Sequence, residues 1–116
     1  RKLFEDLAAA GISVGSLNLS EKEAMFAVFS PDVNRTCEVL NDTEFKYVLN
    51  ENCGKVTVVG NAMRGVPGVM ATFVAALASR KIAILQTMDS DTTISAIIKE
   101  EYLNEAVKAL HEAFKL

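Results

Sequence analysis

Residues 55–77 read KVTVVGNAMRGVPGVMATFVAAL, and this stretch decides the fold. Val56, Val58 and Val59 have the spacing of a strand, which breaks at Gly60. A short loop, residues 61–66, follows and carries one cation, Arg64. Pro67 and Gly68 then open a helix in which Val69, Phe73, Val74 and Leu77 recur at three-to-four spacing. A strand, a glycine loop and a helix start can together hold an anion. The first helical turn leaves backbone N–H groups unpaired and carries the positive end of the helix dipole. Pro67 suits that start, where its missing N–H would have had no partner. The same order of elements also describes an ordinary β–α connection. It is not a nucleotide loop: Gly60, Gly65 and Gly68 do not spell GxGxxG, and no Gly-Lys-Ser/Thr follows. A small carboxylate suits it better than a triphosphate.

Around this stretch the totals are those of a globular chain. The 116 residues are 50% hydrophobic, with two prolines and six glycines, enough for one ordinary core or two small ones. A net charge of −3 argues against a nucleic acid as partner. No apolar run approaches the roughly 20 residues that cross a bilayer. Arg1-Lys2 leads straight into an amphipathic segment, so no signal peptide is read, and the cytoplasm is the expected compartment. Cys37 and Cys53 lack CxxC spacing and His111 is the only histidine, so neither a metal site nor a Cys–His nucleophile is expected. Both cysteines read as reduced, small apolar residues.

Upstream, Leu3, Phe4, Leu7 and Ala8 share a helical face that ends at Gly11. Ile12, Val14, Ser16 and Asn18 then share a strand face, SEKE (20–23) is a turn, and AMFAVFS (24–30) a second strand. Pro31-Asp32 opens a helix through Cys37 and Leu40, and EFKYVL (44–49) alternates as a strand. A polar linker, 50–54, marks the module boundary. Downstream, AILQTM (83–88) and TISAIIK (93–99) are strands around the turn DSDT, and 100–114 form the last helix. The predicted core is Val58, Val69, Phe73, Leu77, Ile84, Ile97 and Leu110.

The chain repeats itself. LFEDLAAAGISV (3–14) sets beside FVAALASRKIAI (73–84) at an offset of 70. AMFAVFS sets beside TISAIIK at 69, if the first turn is one residue longer, which puts Cys37 opposite Ala106. Combining the copies gives βαββαβ, an α+β ferredoxin-like sandwich with an antiparallel sheet and helices on one face. Residues 1–52 form a first module that lacks its opening strand, and 53–116 a second that lacks its closing strand. The chain is therefore expected to be a piece of something larger.

Several motifs in residues 55–114 are familiar together: VxxVG (56–60), a loop ending in PGV (67–69), ALA (76–78), IxILQ (82–86), SDTTIS (90–95) and AVKALHEAF (106–114). They resemble the second ACT module at the carboxyl end of aspartate kinases. Residues 1–53 resemble, more loosely, the tandem first module. The version QTMDSDTTI (86–94) is most similar to the Gram-positive kinases inhibited by an amino acid of the lysine and diaminopimelate pathway. The resemblance implies a regulatory, non-catalytic piece of aspartate kinase, an ATP:aspartate phosphotransferase. Its effector would be lysine, threonine or diaminopimelate, and its modules would mediate a homodimer. It implies no cofactor here, since ATP and magnesium belong to a kinase domain that this sequence does not contain. In that family the first module is inserted into the second, whose closing strand comes from upstream, which would account for both missing strands. The entry loop of the first module, usually an effector contact, is missing as well.

The effector site expected from these readings is Met63, Arg64, Gly65, Val66, Pro67, Gly68 and Val69 with Gln86, Asp89, Ser90, Asp91 and Thr92. Arg64 is either a carboxylate contact or a solvated loop cation, and the turn 89–92 either a contact or only a turn. Gln86 interrupts an apolar strand, as an outward edge residue or a polar contact across an interface. Met63 and Met88 are core filler or adaptable pocket walls, and His111 is a surface residue. Two other classes remain open: a tandem ACT module of a regulator that is not a kinase, and a small ferredoxin-like enzyme such as an acylphosphatase with Arg64 on phosphate. The second is disfavoured because no partner asparagine is placed for it. An RNA-binding sheet is disfavoured by acidity and by the lack of an aromatic pair on a central strand.

Overall fold

The computed structural model describes residues 2–60 and 68–115, which fall into two compact units, Arg1–Asn50 and Glu51–Leu116. In the first unit, Leu3 and Leu7 lie one helical turn apart and are buried on the inner side of α1 (Lys2–Ala9). Gly11, at φ +78°, ends that helix: its N–H reaches Ala8 O at 3.0 Å, and Ile12 N–H reaches back to Leu7 O at 3.0 Å. Strands β1 (Gly15–Leu19) and β2 (Ala24–Ala27) pair antiparallel, and a 3-10 turn (Ser30–Asp32) leads into α2 (Val33–Asn41). Leu3, Leu7, Ile12 and Leu40 form the core, with Phe4 edge-on to Phe26 at 5.5 Å.

The second unit has a better-covered sheet, in the order β3-β5-β4. Strand β3 (Cys53–Val59) pairs antiparallel along its whole length with β5 (Thr93–Lys99), and β4 (Gln86–Asp89) pairs with the other edge of β5. Helices α3 (Val69–Ser79) and α4 (Leu103–Phe114, after a 3-10 turn at Glu100–Tyr102) cover one face. Val56, Val58, Ile94, Ala96 and Ile98 meet Phe73, Leu77, Ala106 and Leu110 there. The fold is thus α+β, with antiparallel sheets and helices. Small side chains set the close approaches. A Cβ on Gly54 would stand 2.5 Å from a methyl of Leu103, so β3 and the start of α4 touch only because that position is glycine.

Four expectations are corrected. Residues 44–49 form no strand: they run as coil with Phe45 and Val48 exposed, paired with no described strand. Ile97 is not in the core. Strand β5 has isoleucine at both parities, and the helix face takes Ile94, Ala96 and Ile98 while Ile97 stands opposite Lys55 and Gln86. Strand β4 begins at Gln86, not at residue 83. The repeat offset is 70 throughout. Ser20 N–H to Glu23 O and Ser90 N–H to Thr93 O, both 2.9 Å, close turns of equal length, so Cys37 matches Val107 and not Ala106. Val69 and Ile84 pack at the margin of the core, and Val58, Phe73, Leu77 and Leu110 lie within it.

Candidate functional site

Strands β3 and β4 both run antiparallel to β5, so both finish at the same end of the sheet. At that end Gly60 N–H donates to Thr92 O at 2.8 Å. The exit of β3 is therefore tied to the turn between β4 and β5, two places 32 positions apart in sequence. The intervening helix must run back from this end for β4 to rise beside β5, which places the start of α3 at the same end. Gly68 sits at that start, exposed and at φ +84°, a conformation that favours glycine. Val69, the first helical residue, is half-buried against the core. Met63, Arg64, Gly65, Val66 and Pro67 lie outside the described residues.

The turn is built by its own hydroxyls. Ser90 Oγ stands 2.8 Å from Thr93 Oγ1 and accepts from the backbone N–H groups of Thr92 and Thr93 at 3.3 and 3.2 Å. This leaves Asp89, Asp91 and Thr92 exposed at the tip. Gln86 is 6% exposed and partnered, three residues back from Asp89 and opposite Ile97. It lies on the edge strand β4 and on the face away from the helices, yet is buried, so it is not a solvated edge residue. Thr93 and Gly60 were missed by sequence reasoning. The serine-to-threonine spacing in SDTT signalled the first, and nothing local signalled the second.

The face of the sheet away from the helices carries a hydroxyl pair, Thr57 and Ser95 at 2.8 Å, beside Val59, which is 70% exposed. At the opposite end of the sheet lies a shallow concavity of about 390 Å³ between Glu51, Asn52, Lys99, Glu100, Glu101 and Tyr102. A hydrogen bond to Glu101 raises the Tyr102 phenol above its ordinary value. Three glutamates against one lysine, already held by Glu51 O at 2.9 Å, suit a carboxylate poorly. Among the described residues no cluster of His, Cys, Asp and Glu could hold a metal, and no helix is long and apolar enough to cross a membrane.

Comparison with known proteins bears on the family and the fold. The family model for the ACT domain matches residues 48–112. Aspartokinase 1 of Bacillus subtilis is 38% identical over 115 residues, covering 99% of this chain but 28% of its own length. The aspartokinase of Mycolicibacterium smegmatis is 42% identical over 85 residues, 72% of this chain and 20% of its own. The chain thus spans less than a third of these curated relatives. Among solved structures, the regulatory subunit of aspartate kinase from Thermus thermophilus, in ligand-free form, is 30% identical with a TM-score of 0.88, covering 99% of this chain and 81% of that one. Aspartokinase alpha and beta subunits give 28% identity and a TM-score of 0.90, with 99% and 82% covered.

Proposed function

This chain belongs to the ACT-domain family, as a regulatory region of the aspartokinase kind, and from that premise we propose that it senses an end product of the pathway the kinase begins. The effector is lysine, threonine or diaminopimelate. The observation that carries the reading is the Gly60–Thr92 hydrogen bond, which ties the exit of β3 to the turn 89–92 at the end of the sheet where α3 starts. A zwitterion needs donors for its carboxylate and acceptors for its ammonium. Backbone N–H groups at the helix start serve the first, and Asp89, Asp91 and the hydroxyls serve the second. Met63, Arg64, Gly65, Val66, Pro67 and Gln86 complete the proposed set of effector contacts. Two carboxylates at the tip favour an effector with a second ammonium group, as in lysine and diaminopimelate.

In this account residues 1–52 and 53–116 are tandem modules of a longer cytoplasmic kinase, whose separate kinase domain binds ATP, magnesium and aspartate. Effector binding favours the state in which that domain is inactive, through a differential affinity of typically ~1–3 kcal/mol. The modules also pair with a second copy. Support comes from α3, whose exposed residues Ala71, Thr72, Val74, Ala75, Ala78 and Ser79 carry no charge, and from β4, an edge of the described sheet. Calorimetry of the chain against lysine, threonine, methionine and diaminopimelate tests the proposal. Saturable binding of one pathway amino acid is expected, and no heat from any of them contradicts it.

A further inference from the structure

The two units tie their helices together at the same junction by different chemistry. In the second unit Arg80, just past α3, forks between Glu105 and Glu112 of α4, the latter at 2.7 Å. In the first unit Arg35 of α2 ion-pairs with Asp32 and donates to Ala10 O, just past α1, at 2.6 Å. At the constant offset of 70, Ala10 corresponds to Arg80 and Arg35 to Glu105. Gly11 and Lys81, which follow at these helix ends, are left-handed caps whose backbone bonds stay within the turn. The tie has therefore been kept at one place while its donor and acceptor changed sides.

The α3–α4 contact needs such a tie. Two of the three buried residues of α4 are alanines, Ala106 and Ala109, whose small side chains offer little to interlock with a neighbouring element. Glu105 and Glu112 stand seven residues apart, about 10 Å along the axis of α4. One planar guanidinium with a fixed fork of donors bridges both, which fixes α3 along α4 and not merely beside it. The other end of α3 is Gly68-Val69, the start placed at the candidate site.

We propose that Arg80 is a positioning residue for the effector response: it clips α3 to α4 so that a displacement at the start of α3 moves both helices together. This rests on the effector reading above and adds to it the route by which binding is felt on the exposed side of α4. An arginine serves this best, because its planar fork can hold both carboxylates in a fixed geometry where a lysine offers a single point charge.

The test is amide hydrogen exchange on the whole chain, with and without saturating L-lysine, then L-threonine and diaminopimelate in turn. In the parent, the binding amino acid should slow exchange severalfold in both 69–79 and 105–112. In Arg80→Gln the slowing should persist in 69–79 and vanish from 105–112, and Arg80→Lys should fall between. Glu112→Gln, at an exposed position outside the core, should weaken the α4 response alone. Parent-like slowing of α4 in Arg80→Gln and Glu112→Gln overturns the clip while leaving the effector reading intact. Slowing confined to α3 in the parent also overturns it. If none of the amino acids changes exchange anywhere in the parent, the effector reading falls and the clip with it.

Discussion

Lys81 holds a left-handed backbone at φ +59°, where the first unit has Gly11 at φ +78°. Both follow the last turn of a helix, and both caps are closed by matching bonds: Ile82 N–H reaches Leu77 O at 3.1 Å as Ile12 N–H reaches Leu7 O. A residue with a Cβ is strained there by about 1–2 kcal/mol, partly offset by the extra chain entropy that glycine loses on folding. Lys81→Gly should therefore stabilise the chain by about 0.5–1 kcal/mol in urea unfolding. A lower midpoint at unchanged slope would show that the lysine side chain contributes more than its backbone strain removes. This cap was legible in part: Gly11 announced the first helix end, whereas Lys81 looks like any polar surface residue and becomes visible only through the repeat.

At the scale of elements, the helices and the strand–loop–helix order could be read directly, because α1 and α4 carry long apolar stripes. The failures have local causes. TISAIIK offers Ile94, Ile97 and Ile98, so its parity is ambiguous, and only pairing with β3 and β4 settles which face is inward. Residues 44–49 alternate as a strand should, yet alternation supplies no hydrogen-bonding neighbour. The phase of β5 can be checked by truncation. Ile98, fully buried, should lose about 2–5 kcal/mol on change to alanine. Ile97→Ala, on the other face and half-buried, should lose clearly less. Equal losses would mean that the outer face of the sheet is covered in solution.

For the whole molecule, the family could be recognised from motifs spread along residues 55–114, and the matched range 48–112 contains most of them. The candidate site was half legible. SDTT and Gln86 stood out as polar interruptions, but the tie from Gly60 to Thr92 depends on strand register, which no local pattern states. Assembly follows from edges and faces. With uncharged exposed residues on α3 and β4 at an edge of the described sheet, the chain should sediment as a homodimer at tens of micromolar, and a clean monomer there would remove the pairing from the account.

The central claim, an amino-acid site at the turn 89–92, is tested most directly by titrating the chain and its Asp89→Asn variant with the effector found by calorimetry. Asp89 is exposed at the tip and carries little of the core, so the melting temperature should barely move. Loss of one charge-assisted partner typically costs ~1.5–3 kcal/mol, so affinity should fall about tenfold or more. Equal affinities of parent and variant, at equal melting temperatures, would contradict the account and place the site elsewhere.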